Sequence, residues 1–329
     1  MRIEKRTCCP GSTDKAIGYS VFVLLLLCLN GSAGWLDGSF ASSGYGNGGG
    51  EYLKLPLHAR TAGLATATVA WRDYLSGLQY NPAILDATDS MTSVVTTSLL
   101  TLDRSHYGFD VASAIGEYLV AGLSFAQFGV GNMEGRDDFG GLTENFSAGF
   151  NTLGATIAGR LNIPLSFGLR GRYLFESIDD DHSNGMGFDV GATWQPLPQL
   201  TIGISGQNLG SYIWWSTNTR DEVFMTGRFG ICGSLFDNSL RIELDGIKTL
   251  RQPEEAAFGA EYTFAGVIAA RGGMRTSVDR YNHAIMRAEY SFGAGMRYEF
   301  MGFDYACIIP PSELGLIHKI SIIGKFPGF

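Results

Sequence analysis

The chain has 329 residues and a formal charge of −8, with 45 glycines, 12% aromatic residues and only 17% charged ones. Glycine is about twice its usual share of roughly 7%, yet the chain is too apolar and aromatic for a disordered one. Its acidity argues against a nucleic-acid backbone as partner, which needs a basic stripe, and its length allows one or two ordinary domains or one closed barrel.

In chain order, Arg2, Lys5, Arg6 and Lys15 precede a mostly apolar run from Ile17 to Leu29 and the small residues Gly31-Ser32-Ala33. This predicts a secretory signal peptide over residues 1–33. The run falls short of the ~20 residues of a spanning helix. Leu27 before Cys28 is too large for a lipoprotein site. Residues 34–50 form a Gly/Ser-rich leader. The formal Gly-x-Gly-x-x-Gly from Gly44 to Gly49 has no strand before it and no helix after it, so it carries no dinucleotide reading.

Residues 51–89 do not alternate. They are rich in small residues, and Asn81-Pro82 marks a turn or the cap of a short helix. An apolar segment ahead of the first strand is expected to sit inside a barrel, as an N-terminal hatch or plug.

From about Ser90 onward the period is two. Leu165, Phe167, Leu169, Tyr173 and Phe175 share one face, and Ser166, Arg170, Arg172 and Glu176 share the other. Met186, Phe188, Val190, Ala192 and Trp194 repeat the pattern, as do Tyr290, Phe292, Ala294, Met296, Tyr298 and Phe300. Successive strand residues face opposite sides, so these are strands. About fourteen can be drawn, from 90–100 to 315–326. Connections are alternately long and short, the long ones including Val130 to Leu142, Asp179 to Ser183, Trp214 to Asp221 and Asp279 to Arg287.

An even strand count, alternating loop lengths and an aromatic-rich apolar face predict a transmembrane antiparallel β-barrel over residues 90–329, in the outer membrane of a Gram-negative-type bacterium. Outer-membrane lipid is then the first partner. A soluble sandwich or propeller is the alternative. Cys232 and Cys307 fall on opposite faces of the wall, so both are expected to be free.

The inward parity carries Arg170, Arg172, Glu176, Glu243, Glu261, Arg271, Arg275, Arg297 and Glu299. Opposite charges across a lumen satisfy one another and give a structured interior; a selective channel is the functional reading. Apolar residues at expected loop tips are Val130, Phe139, Ile213, Trp214, Ile308 and Ile309. Trp214-Trp215 reads as an interfacial anchor, with partner contact as the alternative. Phe139, Trp214, Trp215 and Ile309 are the candidate partner-contact residues.

No catalytic, metal or cofactor site is expected. The five histidines, His58, His106, His182, His283 and His318, show no metal-ligand spacing and read as surface residues. There is no Gly-x-Ser-x-Gly. Asp179-Asp180-Asp181 reads as a solvated outer loop, with calcium as the sharper alternative.

The run Leu53-x-Leu55-x-x-x-Ala59-Arg60-x-Ala62-Gly63-Leu64, followed by Tyr80-Asn81-Pro82-Ala83, resembles the opening of the PorV/PorQ family, outer-membrane proteins of the type IX secretion system. Gly259-Ala260-Glu261-Tyr262, Ala270-Arg271-Gly272-Gly273, Ser291 to Gly295 and Gly315 to Ser321 are similar to its later part. Ala65-Thr66-Ala67 stands where the family often has more glycine. The resemblance implies a FadL-like barrel of fourteen strands with a hatch, whose motif here is Ala59, Arg60, Gly63, Asn81, Pro82 and Ala83. It implies a non-catalytic role in protein secretion or cell-surface attachment, with secretion-system proteins or secreted cargo as partners. The alternative is a FadL-like passive transporter of hydrophobic small molecules, which implies an apolar pocket between hatch and wall and a lateral gap near residues 161–164 or 206–210.

Overall fold

A computed structural model describes residues 48–72, 75–88, 90–161, 163–278, 287–311 and 315–326. The expected signal peptide, residues 34–47 of the leader, and His283 lie outside the described residues.

Among the described residues, fifteen strands follow the non-alternating segment: β1 Met91–Leu99, β2 Arg104–Ile115, β3 Leu119–Met133, β4 Phe146–Arg160, β5 Leu165–Ile178, β6 Asp181–Leu197, β7 Leu200–Trp215, β8 Arg220–Glu222, β9 Thr226–Leu235, β10 Leu240–Thr249, β11 Glu254–Phe264, β12 Ile268–Val278, β13 Arg287–Tyr298, β14 Met301–Ile309 and β15 Ile317–Phe326. Each pairs antiparallel with its neighbour. β1 also pairs with β15, from Met91 against Phe326 to Leu99 against His318. That pairing closes the sheet. Fourteen strands make the wall, and the three-residue β8 is a flap on the end of β7. Closure leaves no open edge, so every strand finds partners without water.

Side chains follow the period-two reading. Leu123, Leu153, Leu169, Phe188, Ile204, Phe292 and Ile322 are exposed on the outer surface. Thr152, Arg170, Asp189, Ser205, Asp245, Ser291 and Asp304 are buried on the inner one. A wall apolar outside and polar inside is a membrane barrel, the reverse of a soluble core. No helix among the described residues is long and apolar enough to cross a membrane; the strands do the crossing.

The connections give the orientation. At the end shared by Met91 and Phe326, the turns are short: 116–118, 161–164, 198–199, 236–239, 265–267 and 299–300. The longer connections, 134–145 and 216–225, leave the opposite end. Short turns face the periplasm and long ones the outside. Two expectations need correction here. Asp179-Asp180-Asp181 is exposed at the outer end, but the connection is only two residues long: residues 179 and 180 form a turn, Asp179 has φ 54°, and Asp181 already opens β6. Glu299 is no lumen charge, because it sits exposed in the tight β13–β14 turn with φ 49°.

Candidate functional site

The lumen is occupied by the chain's own residues 48–72 and 75–88. Gly49 begins at the outer rim, where its N–H donates to Glu222 O (3.0 Å) on the β8 flap. A single 3-10 turn, Glu51–Lys54, lies across the mouth. Tyr52 packs on Phe150 with centroids 5.2 Å apart, and Lys54 reaches Glu51 (2.6 Å) and Gln252. The chain then descends, turns back on itself, and leaves at the periplasmic end to start β1.

Polar latches hold it at each level. His58 caps a helical turn, Ala59–Gly63. Its ring nitrogens meet Thr96 Oγ1 and Asp110 Oδ2, both at 2.7 Å, and Ala59 N–H donates to Ser321 Oγ (2.9 Å). Arg60 forms a two-pronged pair with Glu261, at 3.0 and 2.6 Å. Arg271 also binds Glu261 and continues to Asp304 (2.7 Å), which Arg297 holds from the other side. This ladder ties the plug to β11, β12, β13 and β14.

Below it, Ala65 and Thr66 take positive φ (50° and 68°). The turn aims the next backbone amides at β10. Thr68 and Val69 N–H donate to Asp245, and Ala70 N–H donates to Glu243 (2.6 Å). Arg72 pairs with Asp86, which also accepts from Ser166 (2.6 Å). Asn81 accepts from Ala83 N–H and caps the 3-10 helix Pro82–Ala87. The inner wall supplies glycine where the plug backbone presses closest. A Cβ on Gly168 would collide with the Pro82 backbone, and one on Gly203 with the Val69 carbonyl.

Apolar contacts between plug and wall are broken into small groups. One gathers Leu75, Leu78 and Leu85 against Val94, Ala112, Val120 and Ile323. Another sets Ala59 and Ala62 against Ala306 and Ile308. Polar latches separate them.

Ala59, Arg60, Gly63, Asn81, Pro82 and Ala83 all lie in this plug. Arg170, Arg172, Glu176, Arg271 and Arg297 all face inward, and Arg172 pairs with Asp189 (2.7 Å). Among the rim candidates, Phe139 is 97% exposed at the tip of the 134–145 loop, while Trp214 and Ile309 point outward. Trp215 instead faces inward, and its indole donates to Asp221 Oδ2 (2.8 Å), securing the flap. Ile213 and Ile308 are buried rather than loop tips. His58 and His106 are buried plug and wall partners, not surface residues. Asp110, Asp245, Asp304 and Arg228 escaped the sequence reading, since nothing in a strand's own pattern names its partner across the lumen. Cys232 and Cys307 are free.

Between plug and wall, a cavity of ≈ 20 Å³ under Leu53 and Lys54 has mostly polar walls. The wall itself is irregular near residues 206–210. Two of the three register shifts of β7 against β6 fall here, Asn208 and Gly210 have positive φ, and the ladder to β9 stops at Gln207. Asn208 Nδ2 donating to Phe224 O (3.0 Å) and Val223 N–H to Ser211 O (3.1 Å) patch the gap.

The fold is shared with known barrels. The toluene transporter TodX of P. putida superposes with a TM-score of 0.62 at 11% identity, over 83% of this chain and 99% of that one. The CymD monoaromatic hydrocarbon channel gives 0.62 at 12%, over 83% and 98%. A Pseudomonas aeruginosa FadL homologue gives 0.56 at 12%, over 82% and 98%. Residues 128–266, under half of the chain, match a family described as being of unknown function (DUF5723). No curated protein sequence matches the chain. The architecture is a FadL-like, fourteen-strand barrel of the Gram-negative outer membrane.

Proposed function

We propose that the protein is a passive outer-membrane channel for small hydrophobic molecules, shut in the described state by its own N-terminal plug. The observation that carries this reading is the plug's attachment. It fills the lumen from rim to periplasmic end, yet it is held by discrete ion pairs and hydrogen bonds between small apolar groups. Such an interface can part in steps, because each latch has an alternative partner in water. The likeness in fold to a monoaromatic hydrocarbon channel and a toluene transporter supports the same role. The secretion role rests on the motif resemblance around Ala59-Arg60, and the outward Phe139, Trp214 and Ile309 are the residues it would use.

Uptake of radiolabelled toluene by cells lacking their own hydrocarbon channels tests the proposal. Cells expressing the protein take it up faster than control cells. A plug-to-wall cross-link through Ala59→Cys and Ser321→Cys, with Cys232 and Cys307 replaced by Ser, abolishes the gain until a reductant is added. Uptake equal to control cells, or indifferent to the cross-link, removes the channel reading. Co-isolation with other barrels and secreted proteins would then put the secretion role first.

A further inference from the structure

Two bases meet on the inner wall close to the outer rim. His106 Nδ1 of β2 lies 3.0 Å from Lys319 Nζ of β15, and Lys319 also donates to Ser98 Oγ of β1 (2.6 Å). His106 is 4% exposed and Lys319 2%. No carboxylate among the described residues pairs with either of them. The charges that bear on His106 are Lys319 and, from the plug, His58, both basic. Asp110 stands two inward positions further along β2. It is bonded to His58 (2.7 Å) and also faces Arg170, and its second oxygen reaches neither His106 nor Lys319.

A hydrogen bond between two basic nitrogens needs one donor and one acceptor. The His106–Lys319 contact therefore holds with one positive charge and fails with two. A second proton sets two cations side by side where water cannot screen them. The plug closes over this pair. Leu57 fills the place where a Cβ on Gly108 would stand. The His106 ring meets Phe128 edge-on (centroids 6.0 Å), Phe128 lies against Phe150 (6.1 Å), and Phe150 lies against Tyr52 of the mouth turn (5.2 Å). Tyr52 also faces Thr152 (3.3 Å) and Glu176, to which Ser183 donates. In water, a histidine takes up its proton near pH ~6.5. Under the plug, the same proton costs the Lys319 contact. Closure is thus fully favoured above that pH and weakens about tenfold for each unit below it.

We propose that His106 and Lys319 form an acid-sensitive trigger, which loosens the outer part of the plug, residues 50–59, when the medium outside the cell is acidified. The inference deepens the channel reading by naming what opens the gate. It rests on that reading for the passage that follows, though not for the release of the plug.

The test is hydrogen exchange on the purified full chain in detergent at about pH 7.5 and about pH 5.5, either side of the ordinary histidine value, with each amide compared with its intrinsic rate at that pH. The amides of Leu53, Leu57 and Ala59 report, since each is hydrogen-bonded in the closed state. Their protection is expected to fall about tenfold between the two conditions, while β4 and β5 hold. His106→Gln takes up no proton and should cut that fall to under about twofold. Lys319→Met removes the second charge and should at least roughly halve it. Heat-modifiable migration on gels confirms a folded barrel in each variant, and should His106→Gln not fold, Lys319→Met decides. Wild-type protection equal under both conditions, or a fall undiminished in the folded variant, overturns the trigger. So does a fall abolished by Glu176→Gln instead. A plug loosened by acid with no toluene uptake at either pH overturns the channel reading alone. Toluene uptake with protection indifferent to pH overturns the trigger alone.

Discussion

The wall and the plug are built on opposite principles. In the wall, one repeated rule applies to every strand: apolar side chains out, polar in, and a backbone ladder closed by β1 on β15. Its stability is spread over many equivalent bonds, so no single side chain decides it. In the plug, no two latches are alike, and each joins residues far apart in sequence, as Arg60 with Glu261 or His58 with Asp110. The difference teaches where motion is cheap. A ladder opens only by breaking many bonds together, whereas the plug is held at a few points that can be removed singly.

Substitutions sharpen this contrast. The largest effect is expected from Glu261→Ala. It removes the carboxylate that Arg60 and Arg271, both buried, share, and leaves Arg271 with Asp304 alone, at a cost of about 3–5 kcal/mol. Hydrogen exchange should rise sharply over residues 59–70 and hardly at all in β4 and β5. Leu153→Arg attacks the other partner. It puts a charge against lipid in the middle of β4, costing about 2–4 kcal/mol, and should lower the yield of folded barrel without freeing the plug. Gly203→Val presses a side chain into the Val69 carbonyl, for about 1–3 kcal/mol of overpacking, and should raise exchange around residues 68–71. Phe139→Ser, at an exposed loop tip, should change neither region by more than about 0.5 kcal/mol. If that variant nonetheless abolished pull-down of a partner protein, the loop would belong to a binding face.

The same contrast explains what could be read from the amino acids. Alternation such as Leu165, Phe167 and Leu169 against Ser166 and Arg170 is local, so strands, faces and the free cysteines were legible without coordinates. Turn lengths were harder. Three consecutive aspartates look like a loop, yet Asp179 accepts positive φ and lets β5 and β6 join through two residues. Parity misled at one strand end, where Glu299 continues the inward count but falls in a turn; the anchor reading of Trp215 missed that its parity turns it inward, to bind Asp221. The site was the least legible part. The arginines and glutamates of the lumen could be named by parity, but Asp110, Asp245, Asp304 and Arg228 gain meaning only from what the plug brings beside them. His58 carries no local signal of burial; Thr96, Asp110 and Ser321 supply it from three strands.

The central claim is that the plug is a removable gate in a rigid wall. Single-channel recording of the purified protein in planar bilayers, beside Glu261→Ala, tests it most directly. The account predicts a wild-type barrel that is closed nearly all the time and a variant with frequent, long openings of one conductance. A variant as silent as the wild type, with exchange over residues 59–70 shown to be raised, would contradict it.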